Sequence, residues 1–126
     1  MNRKDEHVSL ARAFHQQPKE NDFDAVRLIH SSFVTIRPEE IDLSTEILGL
    51  QLSAPFYINA MTGGSEKTKK INHDLAIIAR ETNLMMATGS VSAALKDSTV
   101  ADSYSVVREV NPDGFDLRQY GRRQNK

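Results

Sequence analysis

The residues of this 126-residue chain that could do chemistry gather in a few short runs. Arg3-Lys4-Asp5-Glu6-His7 packs two cations, two anions and an imidazole together. A basic pair of this kind could hold a diphosphate, the arginine gripping oxygens bidentately and the lysine acting as a point charge. A solvated terminus whose neighbouring charges cancel would carry the same residues. Thr62-Gly63-Gly64-Ser65 offers open backbone N–H groups, paired glycines and hydroxyls. That suits a phosphate or a flat cofactor approached closely by main chain. The glycine spacing of a dinucleotide fingerprint and the Gly-Lys-Ser/Thr ending of a P-loop are both absent. A strand-to-helix turn needs small residues in any case. The same device repeats at Thr88-Gly89-Ser90, which favours a ligand, because two such loops would share one edge of a parallel sheet.

Other chemistries find little support. Histidines at 7, 15, 30 and 73 show no metal-ligand spacing, and no persuasive carboxylate pair or Ser/His/Asp arrangement is present. Glu39-Glu40 and the pair Asp22 and Asp24 read as turn and cap residues, and Met61, Met85 and Met86 as core, although Met61 at a strand end could equally touch a ring system. The absence of cysteine excludes disulfides, thiolate-bound zinc, iron–sulfur clusters and thiol catalysis. Sixteen Lys and Arg against seventeen Asp and Glu give a net charge of −1, so the whole molecule does not attract nucleic acid or an anionic membrane. The tail cations Arg122, Arg123 and Lys126 would contact too few phosphates to change that. No apolar run approaches the roughly 20 residues of a membrane span, and the charged start lacks a signal peptide's apolar core. A cytoplasmic setting is the default expectation.

The elements that must position these residues follow from periodicity. Val8, Ala11 and Phe14 give a helical rhythm ended by Pro18, and Asn21 or Asp22 could cap a short helix with Phe23, Val26 and Ile29 on one face. Arg37-Pro38-Glu39-Glu40 reads as a turn. Leu43, Thr45 and Ile47, then Leu50 and Leu52, predict a hairpin turning around Gly49. Pro55 to Met61 is nearly continuous apolar sequence, the pattern of a strand buried on both faces. A helix from about Glu66 to Glu81, capped by Ser65, carries Ile71, Leu75, Ile78 and Ala79 on one stripe. Leu84-Met85-Met86-Ala87 is the next apolar strand, which completes a βαβ unit with parallel, adjacent strands. A third buried strand is due after Asn111-Pro112, yet Phe115 and Leu117 alternate with Asp116 and Arg118, and the polar end reads as exposed or disordered.

Taken together, these segments resemble the type 2, flavin-dependent isopentenyl-diphosphate isomerases. The likeness is carried by Asn2-Arg3-Lys4-Asp5-Glu6-His7, Asp42-Leu43-Ser44-Thr45, Tyr57-Ile58-Asn59-Ala60-Met61-Thr62-Gly63-Gly64-Ser65, and Thr88-Gly89-Ser90 followed by Ala93-Ala94-Leu95. It runs from residue 2 to about residue 114. The resemblance implies an α/β chain, the N-terminal portion of a (β/α)8 TIM barrel, with two to three of its strands plus N-terminal helices and a hairpin. It implies residues 1–114 as part of an FMN-binding barrel domain and residues 115–126 as a divergent polar tail. The implied reaction is a 1,3-proton shift interconverting isopentenyl and dimethylallyl diphosphate. Its cofactors are FMN held reduced by NADPH and Mg²⁺ on the diphosphate, and full-length relatives are homo-oligomers. In such enzymes the flavin does the acid–base work, which agrees with the lack of a side-chain acid–base pair.

Carried over by position, Arg3 and Lys4 form the diphosphate clamp. Ala60, Met61 and Thr62 contact flavin from the first strand's end and Ser90 from the second. Ser90-Val91-Ser92 also faces substrate, although many relatives carry a longer or basic residue at position 92. His7 is either a substrate-side residue or one that supports such residues from behind, without an assigned role, and no catalytic or metal-binding side chain falls within the chain. From Phe115 the likeness stops, which suggests a frameshift or truncated gene and a chain inactive alone, since about 250 residues make such a barrel. The alternative is a non-enzymatic module that binds a phosphate ligand or pairs with a separately encoded remainder.

Overall fold

The computed structural model describes residues 3–15, 21–33 and 35–118. Helix α1 (Arg3–Phe14) opens the chain and buries none of its residues. Pro18 and the tail beyond Arg118 lie outside the described residues. The short helix expected after Asn21 is a single 3₁₀ turn, Asp22–Ala25, capped by Asn21, whose side chain accepts the Phe23 N–H. Phe23 and Ile29 are almost fully exposed. An apolar stripe makes a helix only where something covers it, and here nothing described does.

Strands β1 (Thr45–Ile47) and β2 (Leu50–Leu52) form the expected hairpin, with Thr45 opposite Leu52 and Ile47 opposite Leu50. Leu48 and Gly49 turn it, both at positive φ (54° and 79°), the left-handed pair that matches the strand twist. The second sheet holds β3 (Tyr57–Ile58), β4 (Met85–Thr88) and β5 (Asp116–Arg118) in that order, all parallel. Helix α2 (Glu66–Thr82) joins β3 to β4, and α3 (Ser92–Lys96) with α4 (Asp102–Val110) joins β4 to β5. Neither α3 nor α4 was among the elements read from periodicity.

Helix α2 begins where Ser65 caps it: Ser65 Oγ accepts the Thr68 N–H, and Thr68 Oγ1 accepts the Ser65 N–H. It ends at Asn83, left-handed at φ 50°, with the Leu84 N–H returning to the Ala79 carbonyl. Its buried side differs from the stripe expected. Thr68, Asn72, Ala76 and Ala79 are buried, whereas Ile78 is half exposed. The small face wins because α2 packs closely on α4 and β4, and because Thr68 and Asn72 find polar partners inside.

The core is Ala76, Ala79, Met86, Val106 and Val107, flanked by Ile58, Leu75 and Val110. Burying a side chain of valine or methionine size contributes about 1.5–3 kcal/mol. The helices therefore cover the sheet face that carries Ile58 and Met86. On the other face, Tyr57 beside Met85 and Leu117 beside Ala87 remain 47% and 42% exposed. The strand expected to be buried on both faces is two residues long, and its Tyr57 stays half exposed although Met85 and Ala87 on the same face of β4 are buried. β5 forms despite its polar alternation. Its register puts Asp116 opposite Met86 on the helix-covered face and Leu117 on the other, the reverse of what a strand covered on the helix side prefers.

Candidate functional site

Both small-residue loops leave the C-terminal ends of neighbouring parallel strands, and they meet. The Gly89 N–H donates to the Thr62 carbonyl at 2.8 Å. A Cβ on Gly89 would stand 2.9 Å from that same oxygen, so close main-chain approach requires the glycine.

Gly63 and Gly64 have a different reason. Gly63 lies at φ 142° and Gly64 at φ 94°; the ring of Tyr104 fills the space behind Gly63, and Ala93 Cβ with the Tyr104 hydroxyl the space behind Gly64. A Cβ on Gly63 would fall 2.1 Å from Tyr104 Cε1. Tyr104 is 2% exposed, and its hydroxyl donates to the Ser90 carbonyl at 2.8 Å. Burial pushes the phenol pKa up. One tyrosine from α4 therefore backs the first loop and ties down the second. The loop's own N–H groups are partly engaged inward, since Gly64 donates to Ser103 Oγ at 2.7 Å and Ser65 to Thr68 Oγ1 at 3.0 Å.

Asn72 completes this support. It is fully buried, accepts the Thr62 hydroxyl at Oδ1, and donates through Nδ2 to the Ser103 carbonyl (2.7 Å) and the Thr62 carbonyl (3.4 Å). Ser103 Oγ in turn donates to the Val100 carbonyl. A buried polar network satisfied in this way holds its members in one arrangement. Behind it Lys69 Nζ meets Asp102 Oδ2 at 2.6 Å, joining α2 to α4. That hydrogen bond raises the lysine's pKa and lowers the aspartate's. Thr88 Oγ1, at the end of β4, is buried without a hydrogen-bond partner among the described residues.

The N-terminal run reaches this place across the chain. Lys4 Nζ donates to the Met61 carbonyl at 3.4 Å, and Ser65 Oγ donates to Asp5 Oδ1 at 2.5 Å. Lys67 Nζ donates to Ser9 Oγ at 3.4 Å. Arg3 and His7 are exposed beside Lys4 on α1. Of the other sequence-read residues, Ala60 is half buried and Met61 69% exposed, while the Thr62 hydroxyl and carbonyl both point into the support. Val91 is buried; Ser90 and Ser92 share a hydroxyl–hydroxyl contact of 2.6 Å. Among the described residues no three His, Asp or Glu side chains gather as a metal set. Tyr104, Asn72 and Ser103 escaped the sequence reading. The signal for Asn72 was its place four residues after Thr68 on the face that turned inward.

The rim thus combines two cations, an exposed thioether and serine hydroxyls above a rigid backing. Cations fit an anionic phosphate end, and Met61 fits the face of a flat ring. No described helix is long and apolar enough to cross a membrane. No protein-family model matches the chain. It is 52% identical over 119 residues to the isopentenyl-diphosphate delta-isomerase of Latilactobacillus sakei subsp. sakei, covering 94% of this chain and 34% of that protein. Proteins of the same name from Listeria welshimeri and Staphylococcus haemolyticus are 54% identical over 113 residues and 47% identical over 119 residues. These alignments cover 90% and 94% of this chain and 32% and 34% of the relatives. The chain spans about a third of the length of the curated relatives it matches. Over nine-tenths of its own length, the chain is a homologue of the isopentenyl-diphosphate delta-isomerases.

Proposed function

We propose that the chain supplies part of the flavin- and diphosphate-facing rim of a type 2 isopentenyl-diphosphate isomerase, on the N-terminal strands of a (β/α)8 barrel. The observation that carries this reading is the joining of Lys4 to the Met61 loop by a contact 57 residues apart in sequence, in a chain about half identical to proteins of that name. Three consecutive parallel strands with returning helices are the expected start of such a barrel.

When bound, reduced FMN supplies the proton-moving chemistry of the 1,3-shift, with NADPH as its reductant and Mg²⁺ on the substrate's diphosphate. Arg3 and Lys4 hold that diphosphate, matching its charge at the open end of the site. Ala60, Met61 and Thr62 line the ring from the first loop, and Ser90 from the second. Tyr104 and Asn72 keep those loops from shifting, so that little reorganisation is needed when ligand arrives. Ser92 presents the second substrate-side hydroxyl, and Val91 anchors that turn in the core.

The rim alone is incomplete as an enzyme. Tyr57 and Leu117 remain partly exposed on the sheet face away from the helices, which favours a second reading alongside the first: the chain works with a separately supplied remainder. Purified with FMN, NADPH, Mg²⁺ and isopentenyl diphosphate, the chain alone is expected to stay colourless and form no dimethylallyl diphosphate. A yellow chain that turned over substrate would overturn this incompleteness. Replacing Arg3 and Lys4 by alanine in an active hybrid with a full-length relative should raise KM for isopentenyl diphosphate; an unchanged KM would remove them from the clamp.

A further inference from the structure

Helix α1 carries the cations of the proposed clamp yet buries none of its residues. Three hydrogen bonds join it to the loop and α2: Lys4 to the Met61 carbonyl, Lys67 to Ser9, and Ser65 to Asp5. The last is the shortest of the three, at 2.5 Å. It is also charge-assisted, the stronger kind of hydrogen bond. Ser65 is the cap of α2, and its Oγ accepts the Thr68 N–H while donating its own proton to Asp5. The carboxylate therefore sits at the positive end of a 17-residue helix, where negative charge is favoured. A 12-residue helix with so little apolar cover is marginal by itself in water.

We propose that Asp5 is a positioning residue, a latch that docks α1 on the Ser65 cap and thereby sets Arg3 and Lys4 over the Met61 loop. Undocking and melting of α1 are then one event. The proposal rests on the diphosphate reading above but concerns a residue that need not touch the ligand. Its sign separates it from simple electrostatics. Removing an anion beside two cations should by itself strengthen phosphate binding, whereas losing the latch weakens it.

The test uses the full chain with inorganic pyrophosphate as probe, and Asp5→Ala and Asp5→Asn as variants. Cα chemical shifts and amide exchange over residues 5–14, measured without ligand, follow docking directly. Asp5→Ala is expected to lose helical shifts there while exchange at Ala76 and Val107 stays unchanged, a local effect that loss of general stability would not give. Its pyrophosphate Kd should rise about tenfold, as the competent fraction falls. Asp5→Asn keeps an oxygen that can accept from Ser65, and should retain the helix and bind as well as the original or better. Unchanged α1 shifts in Asp5→Ala, or equal or tighter binding by it, would overturn the latch. Should the unsubstituted chain ignore pyrophosphate, the diphosphate reading fails, and the shift and exchange measurements still decide the latch.

Discussion

Replacing Gly63 by alanine tests the support of the two loops most sharply. The new Cβ would lie 2.1 Å from Tyr104 Cε1 and 2.6 Å from Cζ, well inside any tolerated contact. The ring belongs to a residue that is 2% exposed and tied to Ser90 through its hydroxyl, so it has little room to retreat. Overpacking of this kind costs about 1–3 kcal/mol. Holding alanine at φ 142° adds strain of about 1–3 kcal/mol. A loss of about 2–6 kcal/mol is a large share of the roughly 5–15 kcal/mol that holds a small domain folded. Urea unfolding followed by far-ultraviolet circular dichroism reads the change. The steric part is isolated by repeating the substitution in a Tyr104→Leu background. There the ring is gone and only backbone strain remains, so a coupling of about 1–3 kcal/mol is expected. A cost in the original chain below about 0.5 kcal/mol, the scale of neutral surface changes, would refute the reasoning. An equal cost in both backgrounds would also refute the role given to the ring.

Further outcomes follow from the same network. Asn72→Ala leaves the Thr62 hydroxyl and the Ser103 carbonyl short of a partner. Each buried group so orphaned costs about 1–3 kcal/mol, measurable as a lower urea midpoint. The Lys69–Asp102 pair sets a pH dependence. Asp102 is lowered in the folded chain, so its contribution is present above the unfolded carboxylate pKa of about 3.9 and is lost as pH falls through the folded value. Lys69 is raised, so its contribution is present below about pH 10.4 and is lost as pH rises through the folded value. Asp102→Asn should therefore make both limbs of the stability–pH curve shallower, and identical acid limbs would contradict the pairing.

Much of this architecture could be read along the chain, and the misses have physical causes. Helix α2 and strand β4 declared themselves because Ser65 caps the one and a buried central strand must be apolar throughout. The hairpin was legible from alternation broken at Gly49. The buried face of α2 was not, because Asn72 and Thr68 turn inward only once Thr62, Ser103 and Ser65 are there to bond them. β3 read as longer and more buried than it is, since an apolar run signals a capacity for burial without saying what covers it. At the site, the loops were visible as small-residue runs, but the reason for their glycines was not. Gly63 makes room for the Tyr104 ring, and Gly64 for Ala93 and the Tyr104 hydroxyl, on helices that periodicity did not reveal. The docking of Asp5 on Ser65 spans 60 residues of sequence, a distance over which local pattern says nothing.

The central claim is that these loops and cations form part of an isopentenyl-diphosphate isomerase site. The most direct test is a hybrid in which residues 3–114 replace the aligned segment of the Latilactobacillus sakei isomerase, assayed with FMN, NADPH and Mg²⁺ for conversion of isopentenyl to dimethylallyl diphosphate. The account predicts that the hybrid binds flavin and catalyses the conversion at a rate within about tenfold of the parent enzyme, a difference of about 1.4 kcal/mol in barrier. A hybrid that folds and assembles like the parent yet forms no dimethylallyl diphosphate would contradict it.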